Sequence, residues 1–257
     1  MRTLDHIIEL LGDEADSLLR QSRNENPGIS GTPGNIYLQN YLEFMEALIS
    51  GERNEFDRYH EASGKRIKSI RDVVKENPGS LIDLSSIHLQ SSLLCAYHGE
   101  VYRAIKHFYQ AYRNLRQCEE KNPGHPGKLR NRGLITLIVG SVPDEFNWLL
   151  KVFGMRGEIR EGFGYLEEYY AFSEGTERIE ACLLIKFARQ TLSQGTQDNG
   201  TDLICRSDPS TLEVYANALS DLGNGKSRKV IEDLGNYRQD GDERVFPYND
   251  LLFGEAL

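Results

Sequence analysis

The tripeptide Asn-Pro-Gly occurs three times in the first half of the chain, at 26–28, 77–79 and 122–124. Proline lacks the amide hydrogen that a helix uses and disfavours helical geometry in the preceding residue, so each copy predicts the end of a helix. Between the copies, apolar residues recur at helical steps of three and four, as at Tyr37, Tyr41, Phe44 and Leu48. Alternating runs typical of strands are nearly absent. The sequence therefore predicts an all-α fold.

Four segments open with a glycine followed by a charged turn, at Gly51, Gly99, Gly157 and Gly225. Glycine readily takes the positive φ that ends a helix, and the charged turn that follows starts another helix. We therefore predict helical hairpins with turns near 51, 99, 157 and 225. Hairpins that cannot bury both faces alone stack into a solenoid, which predicts one helical-repeat domain over 1–257.

The segment GEVYRAIKHFYQAYR (99–113) resembles the tetratricopeptide repeat. That repeat has a turn glycine, an alanine five residues later, and then an aromatic residue and a second alanine at steps of four and three. Four residues match these positions: Gly99, Ala104, Phe108 and Ala111. The resemblance implies an α-solenoid of degenerate tetratricopeptide-like hairpins.

Other copies depart from the repeat. In the third segment Gly162, Leu166 and Tyr169 replace the alanine–aromatic–alanine set, and His88 stands where a first helix usually carries an aromatic residue. The turn glycines are also spaced more widely than the ~34-residue period of the family. We therefore expect extra helices between the hairpins.

Segments 132–163 and 246–257 are similar to stretches of the inclusion-body-clearance type of tetratricopeptide proteins and their uncharacterised bacterial relatives. The shared patterns are Gly-x-x-Pro before an apolar helix, a following Gly-Met-x-Gly, and a later Pro-Tyr-x-x-x-Leu-x-Gly. The resemblance implies a scaffold that binds a protein or peptide segment, with no defined catalysis. If the repeat register carries over, the concave groove is lined by Tyr41, Met45, Leu93, Tyr97, Asn147, Lys151, Leu212 and Tyr215.

Gly225, Lys226 and Ser227 match the end of a phosphate-binding loop, GxxxxGK[ST]. Ser220 stands where the first glycine belongs, however, and the preceding segment has a helical pattern where such a loop requires a buried strand. We therefore predict a hairpin turn there and no nucleotide. HExxH, GxSxG and kinase patterns are absent, and we expect neither catalytic residues nor a cofactor.

His88, Cys95 and His98 could share one helix face, but their spacing shows no further converging ligand, so we expect no metal. The four cysteines match no zinc-ribbon or finger spacing. Most are expected to be small apolar fillers, which favours a reducing compartment.

The net charge of −9 argues against nucleic acid and anionic membrane surfaces as partners. The longest apolar run, 134–142, is too short to span a bilayer, and the N-terminus lacks the apolar core of a signal peptide. We predict a soluble cytoplasmic protein, or a periplasmic one if a signal was removed. The ending LLFGEAL resembles half a hairpin, so the chain is either truncated or self-associates through Leu251, Leu252 and Leu257.

Two other functions stay open. A deep pocket ringed by His88, His98 or His107 would favour a small-ligand-binding helical protein. A converging acid, base and nucleophile would favour an unrecognised hydrolase. An open groove without such a cluster would favour the scaffold.

Overall fold

The computed structural model describes residues 33–142, 150, 153–192, 217–218, 221–222 and 225–239. Every element of regular structure in these parts is helical, which confirms the predicted all-α fold. The α-helices are α1 (Pro33–Ser50), α2 (Arg53–Val74), α3 (Leu81–Tyr97), α4 (Val101–Lys121), α5 (Lys128–Gly140), α6 (Ile159–Phe172), α7 (Gly175–Leu192) and α8 (Ser227–Gln239). Within the described ranges, no helix combines the length and apolar character needed to cross a membrane.

The Asn-Pro-Gly copies at 77–79 and 122–124 both follow the end of a helix. At the first of these, the Asn77 Oδ1 accepts a hydrogen bond of 3.1 Å from the Gly79 amide, and Pro78–Ser80 form a 3₁₀ turn that leads into α3. The side chain of Asn77 thus satisfies an amide that lacks a helical partner. The copy at 26–28 lies outside the described residues.

Three of the four turn glycines, Gly51, Gly99 and Gly225, have positive φ angles of 63°, 75° and 71°. A Cβ on Gly99 would meet no atom within 4 Å, so backbone conformation and not crowding explains a glycine there. Gly99 joins α3 to α4 and Gly51 joins α1 to α2.

Gly157 differs from the other three, because the positive φ in this region belongs to Gly154, at 66°. A Cβ on Gly157 would lie only 2.6 Å from the carbonyl oxygen of Thr136 on α5. A Cβ on Gly162 would similarly lie 2.8 Å from the amide nitrogen of Leu137. Glycine is therefore used here because the backbone of α5 packs against the backbone of the segment leading into α6 and of the first turn of α6.

Consecutive helices pack as pairs, α1 with α2, α3 with α4, and α5 with α6, and α6 also packs against α7. The central element is α3, which contacts α1, α2, α4 and α5 and is buried along most of its length. Its buried serines are satisfied by neighbouring helices: Ser85 donates to the Ala111 carbonyl and Ser92 to the Ala104 carbonyl, both at 2.9 Å. Polar residues can therefore fill a helix that is buried on nearly all sides.

A buried ion pair joins helices that are distant in sequence. The Arg130 Nη1 on α5 lies 3.0 Å from the Glu180 Oε2 on α7. Tyr37 on α1 donates to the other Glu180 oxygen at 3.0 Å, and Arg130 donates to the Ser86 hydroxyl on α3 at 2.7 Å. The guanidinium also lies 4.8 Å from the Tyr37 ring centre. These contacts fasten α1, α3, α5 and α7 to one another.

Candidate functional site

The groove residues expected from the repeat register divide into three groups. Tyr41 and Met45 on α1 are half-buried and pack against the core formed by α1, α2, α3 and α4. Leu93 and Tyr97 on α3 are exposed, by 41% and 60%. The remaining four lie outside the residues whose side chains the structure describes: Asn147, Lys151, Leu212 and Tyr215.

Large apolar side chains are exposed around the α3–α4 turn. We define the apolar patch as Leu93, Tyr97, Val101 and Tyr102, of which Tyr102 is the most exposed at 92%. A Cβ on Gly51 would lie 3.0 Å from the Tyr97 hydroxyl oxygen, so this ring reaches across to the α1–α2 turn. The patch therefore lies where the turns of two hairpins meet.

Glu100 lies beside the patch and bridges two arginines. The Arg53 Nη2 on α2 lies 2.5 Å from its Oε1, and the Arg103 Nη1 on α4 lies 2.7 Å from its Oε2. The hydrogen bond from Arg53 is the main cause that lowers the Glu100 pKa. This carboxylate thus connects α2 to α4 next to the α3–α4 turn.

Beneath the same turn, three helices bring a cysteine and two histidines together. We call His60 on α2, Cys95 on α3 and His107 on α4 the His–Cys cluster. One potential ligand atom from each residue lies within 4.8 Å of the other two. Sequence spacing pointed to His88, Cys95 and His98 as potential metal ligands, named His107 only as a possible pocket residue, and gave no role to His60. No spacing pattern could have shown them, because the three residues of the cluster lie on three different helices.

Two further histidines border the His–Cys cluster. The Nδ1 atoms of His88 and His107 are 2.9 Å apart and form a hydrogen bond. The ring of His98 packs against Phe56, with 4.5 Å between the ring centres. Three imidazole nitrogens are buried without a hydrogen-bond partner: His60 Nδ1, His88 Nε2 and His98 Nε2. Buried polar atoms are rarely left unpaired in proteins, so this concentration of them needs an explanation.

Burial keeps the side chains of the His–Cys cluster uncharged. It lowers the pKa of His107 to about 4 and that of the adjoining His88 to about 3, and it lowers the pKa of His60 as well. Burial also raises the pKa of the Cys95 thiol to about 11. Neutral imidazole is the form that binds metals, whereas a protonated, fully buried thiol is a poor nucleophile.

Two cysteines outside the His–Cys cluster differ in their bonding state, and most of the cysteines were expected to be buried apolar side chains. Cys118 is buried and free, as is Cys95. Cys182 is disulfide-bonded, so it is not a free apolar filler and does not favour a reducing compartment.

At the Gly-Lys-Ser sequence, Gly225 takes the left-handed conformation and α8 begins at Ser227. The Lys226 Nζ lies 3.3 Å from Asp221, which also accepts a hydrogen bond of 2.7 Å from Lys229. The lysine that a phosphate loop would direct at phosphate is thus paired with a carboxylate of the same turn. This geometry gives no support to nucleotide binding at Lys226.

Comparison with known proteins found no matching family model, no similar curated protein and no similar solved structure.

Proposed function

We propose that this chain is a non-enzymatic scaffold, an α-solenoid of tetratricopeptide-like hairpins that binds a protein or peptide segment. The pairing of α1 with α2, α3 with α4, and α5 with α6 supports this architecture. Contacts of α3 with both α1 and α5 support it further, because first helices of successive hairpins are expected to adjoin in a solenoid. The hairpin at Gly99 also carries the best match to the repeat.

The observation that carries the proposal is the apolar patch. Among the described residues, five large apolar side chains are exposed, and four of them lie in this patch. Such a concentration marks a surface that binds a partner, and tyrosine is enriched among the residues that dominate binding energy. Leu93 and Tyr97 are four residues apart, so they lie on one side of α3 and present a continuous surface to an extended or helical segment.

The buried thiol argues against a hydrolase that would use Cys95 as its nucleophile. A catalytic cysteine needs contact with its substrate and a stabilised thiolate, whereas Cys95 is 0% exposed and its thiol pKa is raised. His88 would line the pocket of a small-ligand-binding protein, but it is only 3% exposed and already contacts His107. The exposed patch therefore supports binding of a partner better than chemistry at the cluster.

Site-specific photo-crosslinking in the native host tests this function. A photoreactive phenylalanine analogue is placed at Tyr97, and a matched control carries it at Phe172, an exposed aromatic residue outside the patch. We expect discrete crosslinked proteins from position 97 that are lost on Leu93→Ser, and none of them from position 172. Identical products from both positions, or no product from position 97, would contradict a partner-binding patch.

A further inference from the structure

We propose that His60, Cys95 and His107 form a Zn²⁺ site with one thiolate and two imidazole ligands. This departs from the expectation, drawn from sequence spacing, that the chain binds no metal. It is independent of the scaffold proposal, because it requires no partner and concerns the interior beneath the apolar patch.

The distances suit such a site. The three candidate ligand atoms lie within 4.8 Å of one another. In a tetrahedral zinc site the Zn–S bond is about 2.3 Å and the Zn–N bonds are about 2.0–2.1 Å, so the ligand atoms are roughly 3.5 Å apart. The side chains therefore need to close by roughly 1 Å, which small χ rotations supply without moving the helices.

An unpaired polar atom points to the same ligand chemistry. The Nδ1 of His60 is buried and makes no hydrogen bond. A buried imidazole nitrogen without a partner is destabilising, and a metal bond would satisfy it. Cys95 is itself 0% exposed and lies on the central helix α3, which packs against α1, α2, α4 and α5.

His88 is placed to position one of the ligands. Its Nδ1 is hydrogen-bonded to the Nδ1 of His107, which leaves the His107 Nε2 for the metal. Metal-binding histidines commonly use one ring nitrogen for the metal and the other for a hydrogen bond that fixes the ring orientation. His88 would therefore act as a positioning residue and not as a ligand.

The ligand types select the metal class. A thiolate with two imidazoles suits zinc and other late first-row ions, whereas Mg²⁺ and Ca²⁺ require oxygen ligands. Binding releases the Cys95 thiol proton to solvent, so the occupied site carries one net positive charge before a water takes the fourth position. His60 and His107 are only half-buried, which gives the ion a route to the buried sulfur.

Charged residues on α2, on α4 and at the α3–α4 turn act on the histidines of the cluster. Arg53, Arg103 and Glu100 lie near His60, and the carboxylate is bonded to both guanidiniums, so it offsets part of their charge. Lys106 and Arg71, together with Arg103, act on His107 and disfavour a bound cation. Lys106 and Arg71 are exposed, so solvent screens much of their repulsion. The repulsion that remains lowers the affinity for the metal but removes no ligand.

A metal here would tie the first hairpin to the second. His60 belongs to α2, whereas Cys95 and His107 belong to the α3–α4 hairpin. The apolar patch extends over the same turn, so bound Zn²⁺ would hold the two hairpins together directly beneath it.

Metal titration of the full chain tests the site. The chelator-stripped protein is titrated with Co²⁺, and Zn²⁺ is then added as competitor. We expect one Co²⁺ per chain with a thiolate-to-cobalt charge-transfer band, and stoichiometric displacement by Zn²⁺. Cys95→Ser should abolish the band, and His60→Gln and His107→Gln should each weaken Zn²⁺ binding at least tenfold.

Matched controls come from outside the cluster. Cys118→Ser removes the other free buried cysteine of the described residues, and His125→Gln removes a half-buried histidine. Both variants should bind Co²⁺ as the unmodified chain does. Retention of the band in Cys95→Ser, or its loss in Cys118→Ser, would overturn the assignment.

X-ray absorption on the Zn²⁺-loaded, unmodified chain avoids any folding defect of the variants. We expect one sulfur at about 2.3 Å and light atoms at about 2.0–2.1 Å around the zinc. A first shell without sulfur, or failure of the unmodified chain to bind one equivalent, would refute the proposal whatever the variants do.

Discussion

Replacing Arg130 with methionine should be one of the most destabilising single changes in the chain. Arg130 is buried, and the Glu180 side chain opposite it is only 11% exposed. Without the guanidinium, the Glu180 carboxylate would keep the Tyr37 hydroxyl as its donor but lose its counter-charge. A charge buried in this way is costly because neither solvent nor a partner stabilises it.

The loss of stability in Arg130→Met is the sum of two effects, the broken ion pair with Glu180 and the lost hydrogen bond to Ser86. Breaking one partner of a buried ion pair costs about 3–5 kcal/mol. The Ser86 hydroxyl adds little to this cost, since it keeps a hydrogen bond of 2.9 Å from Asn131 after the arginine is removed. For a chain of this size each 1 kcal/mol lowers Tm by about 2–4 °C, so Arg130→Met should lower Tm by roughly 6–20 °C.

Urea denaturation followed by far-ultraviolet circular dichroism measures this effect in a double-mutant cycle. Glu180→Gln removes the unpaired charge but keeps an oxygen that accepts from Tyr37. The double variant Arg130→Met/Glu180→Gln should therefore be more stable than Arg130→Met alone, with a coupling free energy of at least about 1 kcal/mol. A loss below about 1 kcal/mol for Arg130→Met, or strictly additive losses, would refute the argument that an uncompensated charge dominates.

Two further predictions concern packing and protonation. Gly157→Ala should destabilise the chain by about 1–3 kcal/mol in thermal unfolding, because its Cβ would meet the Thr136 carbonyl oxygen at 2.6 Å. A Cβ at Gly64 on α2 would meet no atom within 4 Å, so Gly64→Ala should instead stabilise the chain by about 0.5–1 kcal/mol. Equal effects of the two substitutions on stability would contradict the close-packing argument. Burial raises the pKa of Asp83 to about 6 from 3.8, so its ionisation costs stability as pH rises from about 4 through 6. Asp83→Asn should therefore be more stable than the parent by about 1–3 kcal/mol at pH 8 and nearly equal to it at pH 4, and a pH-independent difference in urea midpoints would count against this.

Local sequence determines where the helices begin and end. Asn-Pro-Gly ends a helix wherever it occurs in the described residues, because the missing proline amide and the restricted preceding residue act within a few bonds. The positive φ of Gly51 and Gly99 is also a local property, because a residue without a Cβ takes this conformation at little cost. The all-α fold could therefore be predicted from the sequence alone.

Interactions between helices could not be predicted in this way. Gly157 has the same sequence context as Gly99, yet only the approach of the α5 backbone explains its lack of a side chain. Arg130 gives no sign in the sequence that it is buried against Glu180, fifty positions away.

The His–Cys cluster shows the same division between sequence and tertiary structure. The sequence by itself placed His60, Cys95 and His107 on helices, because helical periodicity is a local property. Only the packing of α2 and α4 against α3 decided that these three side chains meet, since the rotation and depth of each helix depend on the side chains between them. The chain's local sequence thus determined its helices and turns, and tertiary packing decided which of their side chains are buried, paired or brought together.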